Sequence, residues 1–185
     1  MYPPVDLMPF PQIKKEDYYL IIYRIVGGKG LSLAVDAAKK LGIRLKIAGA
    51  PAGYATEYQD LVHRSGGFIE FLGFVKEAEL ARLYAGARAF LALATDEDFG
   101  MTPVEAMSAG TPVIAYRGGG YLESVIDGKT WVFVDTPTVE GVADAIQRFE
   151  KHRFSQKDCR LQAEKFSKKR FQHEISAFVR AHSSG

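Results

Sequence analysis

Residues 89–115 read AFLALATDEDFGMTPVEAMSAGTPVIA, and they hold a complete strand–helix–strand unit. The six apolar residues 89–94 have the length and character of a fully buried strand. The acidic run Asp96, Glu97, Asp98 breaks it. Thr102, Pro103 and Glu105 then look like an N-cap, an N1 proline and a capping-box glutamate, so a helix is expected over 102–109. Gly110 ends that helix and Pro112 opens the next strand, 112–115. The segment is one turn of a parallel α/β winding.

The same alternation extends in both directions. Strands are expected at 18–23, 44–48, 68–72 and 132–134, and helices at 54–65, 77–85 and 121–126. Leu31, Ala34, Val35, Ala38 and Leu41 mark another helix by their spacing. Six strands and intervening helices imply an α/β, doubly wound, Rossmann-like sheet, mostly parallel and covered on both faces. Its ligand crevice lies beyond the carboxyl ends of the strands, where the strand order reverses. Residues 1–17 hold four prolines and read as an extended interdomain lead-in. Residues 18–150 are the Rossmann-like domain. Residues 151–185 add helices beyond what the sheet needs, with an apolar stripe of Phe171, Ile175, Phe178 and Val179.

Composition narrows the function. The chain has 185 residues, enough for one domain, with 47% hydrophobic and 25% charged residues, an ordinary globular balance. A net charge of +2 excludes a dedicated nucleic-acid binder. The charge is uneven: residues 148–185 carry 10 basic and 4 acidic groups, net +6, and the remainder is net −4. That tail has two readings, a solvated helix face or peripheral contact with an anionic membrane. Cys159 is alone, which excludes an internal disulfide and a cysteine-based zinc site. No run of about 18 apolar residues and no signal-peptide pattern is present, so a cytoplasmic domain is expected.

Three segments carry candidate chemistry. A helix beginning near Thr102 at the mouth of a parallel sheet offers backbone N–H groups to a phosphate or sugar oxygen. Glu97 and Glu105, on either side of that turn, suit hydroxyl hydrogen bonds, although Glu105 can equally serve only as a cap. Arg24 and Lys29 flank Gly27 and Gly28 just after the first strand, where cations can clamp a diphosphate or stand as surface charges. The loop matches neither the phosphate-binding Walker pattern nor the dinucleotide Gly-x-Gly-x-x-Gly fingerprint. Gly118, Gly119 and Gly120 permit a ligand close to the backbone or a tight turn.

Together these residues resemble the C-terminal, donor-binding half of the retaining glycosyltransferases of family 4, which have the GT-B fold. Glu97-Asp98-Phe99-Gly100-Met101-Thr102-Pro103-Val104-Glu105 is similar to that family's E-x7-E signature, and 110–115 and 119–125 continue it. Arg24 and Lys29 match the R-x4-K pair, Phe71-Leu72-Gly73-Phe74 the segment before the third helix, and 163–171 the tail. The variant is most similar to bacterial and archaeal mannosyltransferases of surface-polysaccharide synthesis.

The resemblance implies a nucleotide-diphosphate sugar as donor, with no cofactor and no metal. Arg24 and Lys29 would neutralise the departing diphosphate, Glu105 would hold the ribose, and Glu97 the donor sugar. The backbone around Phe99, Gly100, Met101 and Thr102 would meet sugar and phosphate oxygens. Gly49, Gly73 and Val75 would line the base pocket. Three departures stand out. Tyr23 replaces a small residue before the arginine and would crowd the phosphate loop. Trp131 replaces a glycine after Gly128-Lys129-Thr130, so that turn must be built differently. An N-terminal GT-B domain is missing, and Phe171, Ile175, Phe178 and Val179 would dock it, leaving that patch exposed here. The half alone is then expected to lack transfer activity. The alternatives are a non-catalytic nucleotide-binding module and, further off, a sugar-nucleotide epimerase.

Overall fold

The computed structural model describes residues 1–7, 10–23, 30–50, 55–124 and 128–182. Its six strands are β1 (Tyr19–Ile22), β2 (Leu45–Ala48), β3 (Ile69–Gly73), β4 (Ala89–Ala92), β5 (Val113–Tyr116) and β6 (Trp131–Val134). The helices between them are α1 (Leu31–Leu41), α2 (Ala55–Ser65), α3 (Glu77–Gly86), α4 (Met101–Ser108) and α5 (Tyr121–Ser124). After β6 come α6 (Val139–Glu150), α7 (Gln156–Glu164) and α8 (Lys168–His182). All neighbouring strands pair in parallel, in the order β3-β2-β1-β4-β5-β6. The order reverses between β1 and β4, so the crevice opens beyond Ile22 and Ala92.

Strand alternation assigns the core to two layers. Leu20, Phe90, Ala92, Val113, Ala115 and Trp131 face α3, α4 and α7. Tyr19, Ile21, Ile47, Leu91, Ile114 and Val132 face α1, α2 and α6. Because both faces are covered, β4 and β6 are buried at every residue, which is why they read as unbroken apolar runs.

The lead-in forms no helix among its described residues, but it is not loose. Val5 is 1% exposed and makes a parallel bridge with Ser167. Its N–H donates to the Phe166 carbonyl at 2.8 Å, and its carbonyl accepts from the Lys168 N–H at 3.2 Å. In the tail, α7 packs on α4 and buries Cys159, Gln162 and Ala163. Residues 151–185 are therefore split: α7 is already seated on the sheet domain, whereas α8 buries no residue. Ile175, Phe178 and Val179 are exposed, Phe178 by 55%, and Phe171 is half-buried.

Trp131 begins β6 fully buried, with its indole N–H donating to Met107 Sδ at 3.0 Å. The positive φ of the preceding turn falls on Gly128 (72°) instead, so the tryptophan needs no unusual backbone.

Candidate functional site

The site grows from the loops beyond β1 and β4. Tyr23 follows β1, and its N–H donates to the Ala48 carbonyl at 3.1 Å. Arg24 and Lys29, the expected diphosphate clamp, lie outside the described residues. Gly30, which follows that pair, is the N-cap of α1 and abuts Leu93 just past β4.

The start of α4 differs from the sequence expectation. Its N-cap is Gly100 and not Thr102, and no side chain caps it. Gly100 takes φ 80°, and a Cβ there would lie 2.6 Å from the Tyr121 ring. Tyr121 therefore fixes where the helix begins, two residues early. Thr102 and Pro103 become the second and third helical residues. Glu105 is then the fifth, too far along to reach back to the cap, and its carboxylate accepts from the Tyr84 hydroxyl at 2.7 Å. The capping-box reading of Glu105 is thus corrected. α4 starts at the crevice mouth with Met101 exposed, and its N-cap, a glycine, has no side chain to offer the first-turn N–H groups.

Glu97 is half-buried in the loop before α4. Its carbonyl accepts from the Gly120 N–H at 2.8 Å. A Cβ on Gly119 would stand 2.6 Å from the Glu97 carbonyl oxygen, and one on Gly120 2.2 Å from that of Asp98. These glycines are filled by protein: they let one loop lie directly on the acidic loop and hold it. Phe99 turns away, packing on Tyr2 and Phe166 with ring centroids 5.9 and 5.5 Å apart.

A hydroxyl cluster joins these pieces. The Tyr23 and Tyr121 oxygens are 2.5 Å apart, and the Thr102 hydroxyl also bonds Tyr23. Burial pushes both phenols up in pKa, and the nearby Glu97 carboxylate adds to the rise. The departure at Tyr23 thus places a protonated phenol beside Glu97 and the first turn of α4. On the other side of the switch point, the Gly49 N–H donates to the Gly73 carbonyl at 2.8 Å, and Val75 is half-buried against the core. The structure therefore brings Glu97 and Thr102 together around Tyr23, and sets Glu105 one turn further along α4 on Tyr84.

Two contributors were not picked out from sequence, Tyr84 and Tyr121. Their one available signal is a tyrosine at an otherwise apolar buried position, since a buried phenol needs a partner.

The opposite, amino edge of the sheet carries a groove of about 670 Å³ lined by Glu16, Asp17, Tyr18, Arg44, Lys46 and Glu70 among others. Some of its charges are already engaged: Lys46 lies 4.4 Å over the Tyr18 ring and 3.9 Å from Glu70, and Asp17 pairs with the neighbouring Arg88 at 3.0 Å. Nearby, the Lys15 ammonium donates to the Thr111 hydroxyl, and burial lowers its pKa to about 8, a shift that Arg160 adds to and Cys159 opposes. Among the described residues, no three His, Cys, Asp or Glu come together as a metal site, and no helix is long and apolar enough to cross a membrane.

Comparison with known proteins agrees with the sequence resemblance. The family model described as "Glycosyl transferases group 1" matches residues 7–166. A D-inositol 3-phosphate glycosyltransferase of Mycobacteroides abscessus is 35% identical over 138 residues, covering 71% of this chain and 31% of the relative. The alpha-1,3/1,6-mannosyltransferase ALG2 of Dictyostelium discoideum is 38% identical over 89 residues, 45% of this chain and 21% of the relative. The chain thus spans less than a third of either relative's length. Anabaena HepE, solved in complex with UDP, superposes with a TM-score of 0.78 at 21% identity, covering 90% of this chain and 49% of that one.

Proposed function

Because this chain belongs to the group 1 glycosyl transferases, we propose that it is the half of such an enzyme that binds the nucleotide-sugar donor. The observation that carries the reading is the placement of Glu97 beside the Tyr23–Thr102–Tyr121 cluster at the start of α4, with Glu105 one turn along the same helix. The carboxylates are acceptors suited to sugar and ribose hydroxyls, and the helix N-terminus is a donor suited to phosphate. The UDP found on HepE and the mannosyl transfer in the name of ALG2 support a nucleotide hexose as donor.

In the proposed reaction the bond between the anomeric carbon and the diphosphate oxygen breaks, and the oxygen keeps the electron pair. Arg24 and Lys29 offset that charge, a role that positioned cations fill without a metal. Glu97 holds the sugar hydroxyls while the acceptor oxygen bonds to the anomeric carbon from the face that the phosphate leaves, so configuration is retained. The acceptor's proton passes to the departing phosphate oxygen. The acceptor and the other cleft wall belong to a second domain docked on α8, so this half binds donor but does not transfer. The basic tail suits an acceptor held at an anionic membrane on the cytoplasmic side.

Saturation-transfer NMR against GDP-mannose, UDP-glucose, UDP-N-acetylglucosamine, ADP-glucose and NAD tests the reading. Selective binding of one nucleotide sugar is expected. Equal binding of NAD, or no binding even after fusion to the N-terminal half of a relative, overturns it.

A further inference from the structure

Tyr84 is fully buried on α3, and each part of it is held separately. Its ring packs on Phe10 and Phe90, with centroids 6.2 and 5.7 Å away. Its backbone carbonyl accepts from the Thr111 hydroxyl at 2.6 Å, and that hydroxyl in turn receives the Lys15 ammonium. The phenol oxygen is left with one direction, toward Glu105 Oε2 at 2.7 Å. Glu105 itself is half-buried on the neighbouring helix, one turn beyond Thr102 on α4. A glutamate on a helix surface ordinarily samples several rotamers, and each one lost on binding weakens the complex.

Resting on the donor reading above, we propose that Tyr84 is a positioning residue: it locks Glu105 by one carboxylate oxygen so that the other, Oε1, accepts from the ribose hydroxyls of a nucleoside diphosphate. Burial and the neighbouring carboxylate push the Tyr84 pKa well above its ordinary value, so the phenol remains a donor wherever the protein is folded. Two helices thereby divide the work. α4 supplies the ligand contact and α3 supplies its aim.

The test separates aim from mere stability. Dissociation constants of UDP and GDP, and of their 2′-deoxy and 3′-deoxy forms, are measured for the wild-type chain, Tyr84→Phe and Glu105→Gln. The wild type is expected to prefer the ribonucleotide by about tenfold, the size of one hydrogen bond to a charged group. Tyr84→Phe retains the ring packing, and water can reach the half-exposed carboxylate, so it is expected to fold. Its preference should fall to about twofold to threefold, while affinity for the deoxy forms stays the same. Glu105→Gln should show a similar loss. In the wild type, the Tyr84 Cζ resonance should shift with the ribonucleotide and not with the deoxy forms, a readout that needs no variant. An equal loss of affinity for ribo and deoxy forms in Tyr84→Phe, or an unmoved resonance, overturns the positioning role. Wild-type binding without ribose preference also overturns it, but leaves the donor reading standing. No binding of either nucleotide, even after fusion to the N-terminal half of a relative, takes down both.

Discussion

The two edges of the sheet differ in what their charged groups already do. At the amino edge, the groove of about 670 Å³ holds charges that are already engaged, Lys46 with Glu70 and the Tyr18 ring, and Asp17 with the neighbouring Arg88. At the carboxyl edge, two half-buried carboxylates stand beside the start of α4 and one turn along it, the first on a loop held by glycines and the second bonded by a tyrosine. Volume and chemistry thus fall on opposite sides of the molecule. Exposed ion pairs are worth little and recognise nothing in particular. Positioned acceptors and donors are what a ligand can read.

The largest effect is expected from Glu97→Gln, which should weaken nucleotide-sugar binding by about 30- to 100-fold, the loss of charged hydrogen bonds to the sugar. Lys46→Ala at the other edge should leave affinity within about twofold. Calorimetric titration of both variants sharpens the contrast, and equal losses break it. Next come the glycines. Gly120→Ala drives a Cβ into the Asp98 carbonyl and Phe99 Cα, and should cost about 2–3 kcal/mol in urea denaturation. Gly42→Ala, at the amino edge with φ 64° and open space around it, should cost only about 1 kcal/mol from backbone strain. Similar costs would mean that the two loops of the carboxyl edge are less tightly stacked than they look. The smallest effect concerns Lys15, which holds its proton less tightly folded (about 8) than unfolded (10.5). Between those values the unfolded chain binds more protons, so stability rises with pH from about 8 to 10.5, and the penalty is fully present below 8. Lys15→Met should remove that rise, with a difference on the order of 1 kcal/mol at pH 7 after allowing for partial exposure. Parallel pH profiles for the two proteins would show that the amino edge carries no such cost.

The winding of the fold was legible because buried parallel strands are apolar runs set between glycine and proline punctuation, as in 89–94 and 112–115. The start of α4 was not legible. Thr102-Pro103-x-Glu105 is locally a good cap, but the deciding contact is the ring of Tyr121 against Gly100, 21 residues away. The partner of Glu105 is likewise distant, on α3. Gly118 to Gly120 read as room for a ligand or as a tight turn; the 97–99 backbone occupies the space beside Gly119 and Gly120, and local sequence does not say which loop will arrive there. Glu97 was found by motif and Tyr23 as a departure beside the phosphate loop, but the bond from Tyr23 to Tyr121 became visible only in three dimensions.

The pairing of Val5 with Ser167 also decides how the molecule bears load. The two short segments run parallel, so tension drawn between Met1 and His182 pulls them in opposite directions along their own axes. The bonds from Val5 to Phe166 and Lys168 then take the strain together, in shear, joined by the Arg170 guanidinium on the Tyr2 carbonyl. The six-stranded sheet lies downstream of that clasp and feels no force until it slips. In mechanical terms the Val5–Ser167 pairing is a fuse, and the crevice beyond β1 and β4 is on the protected side of it.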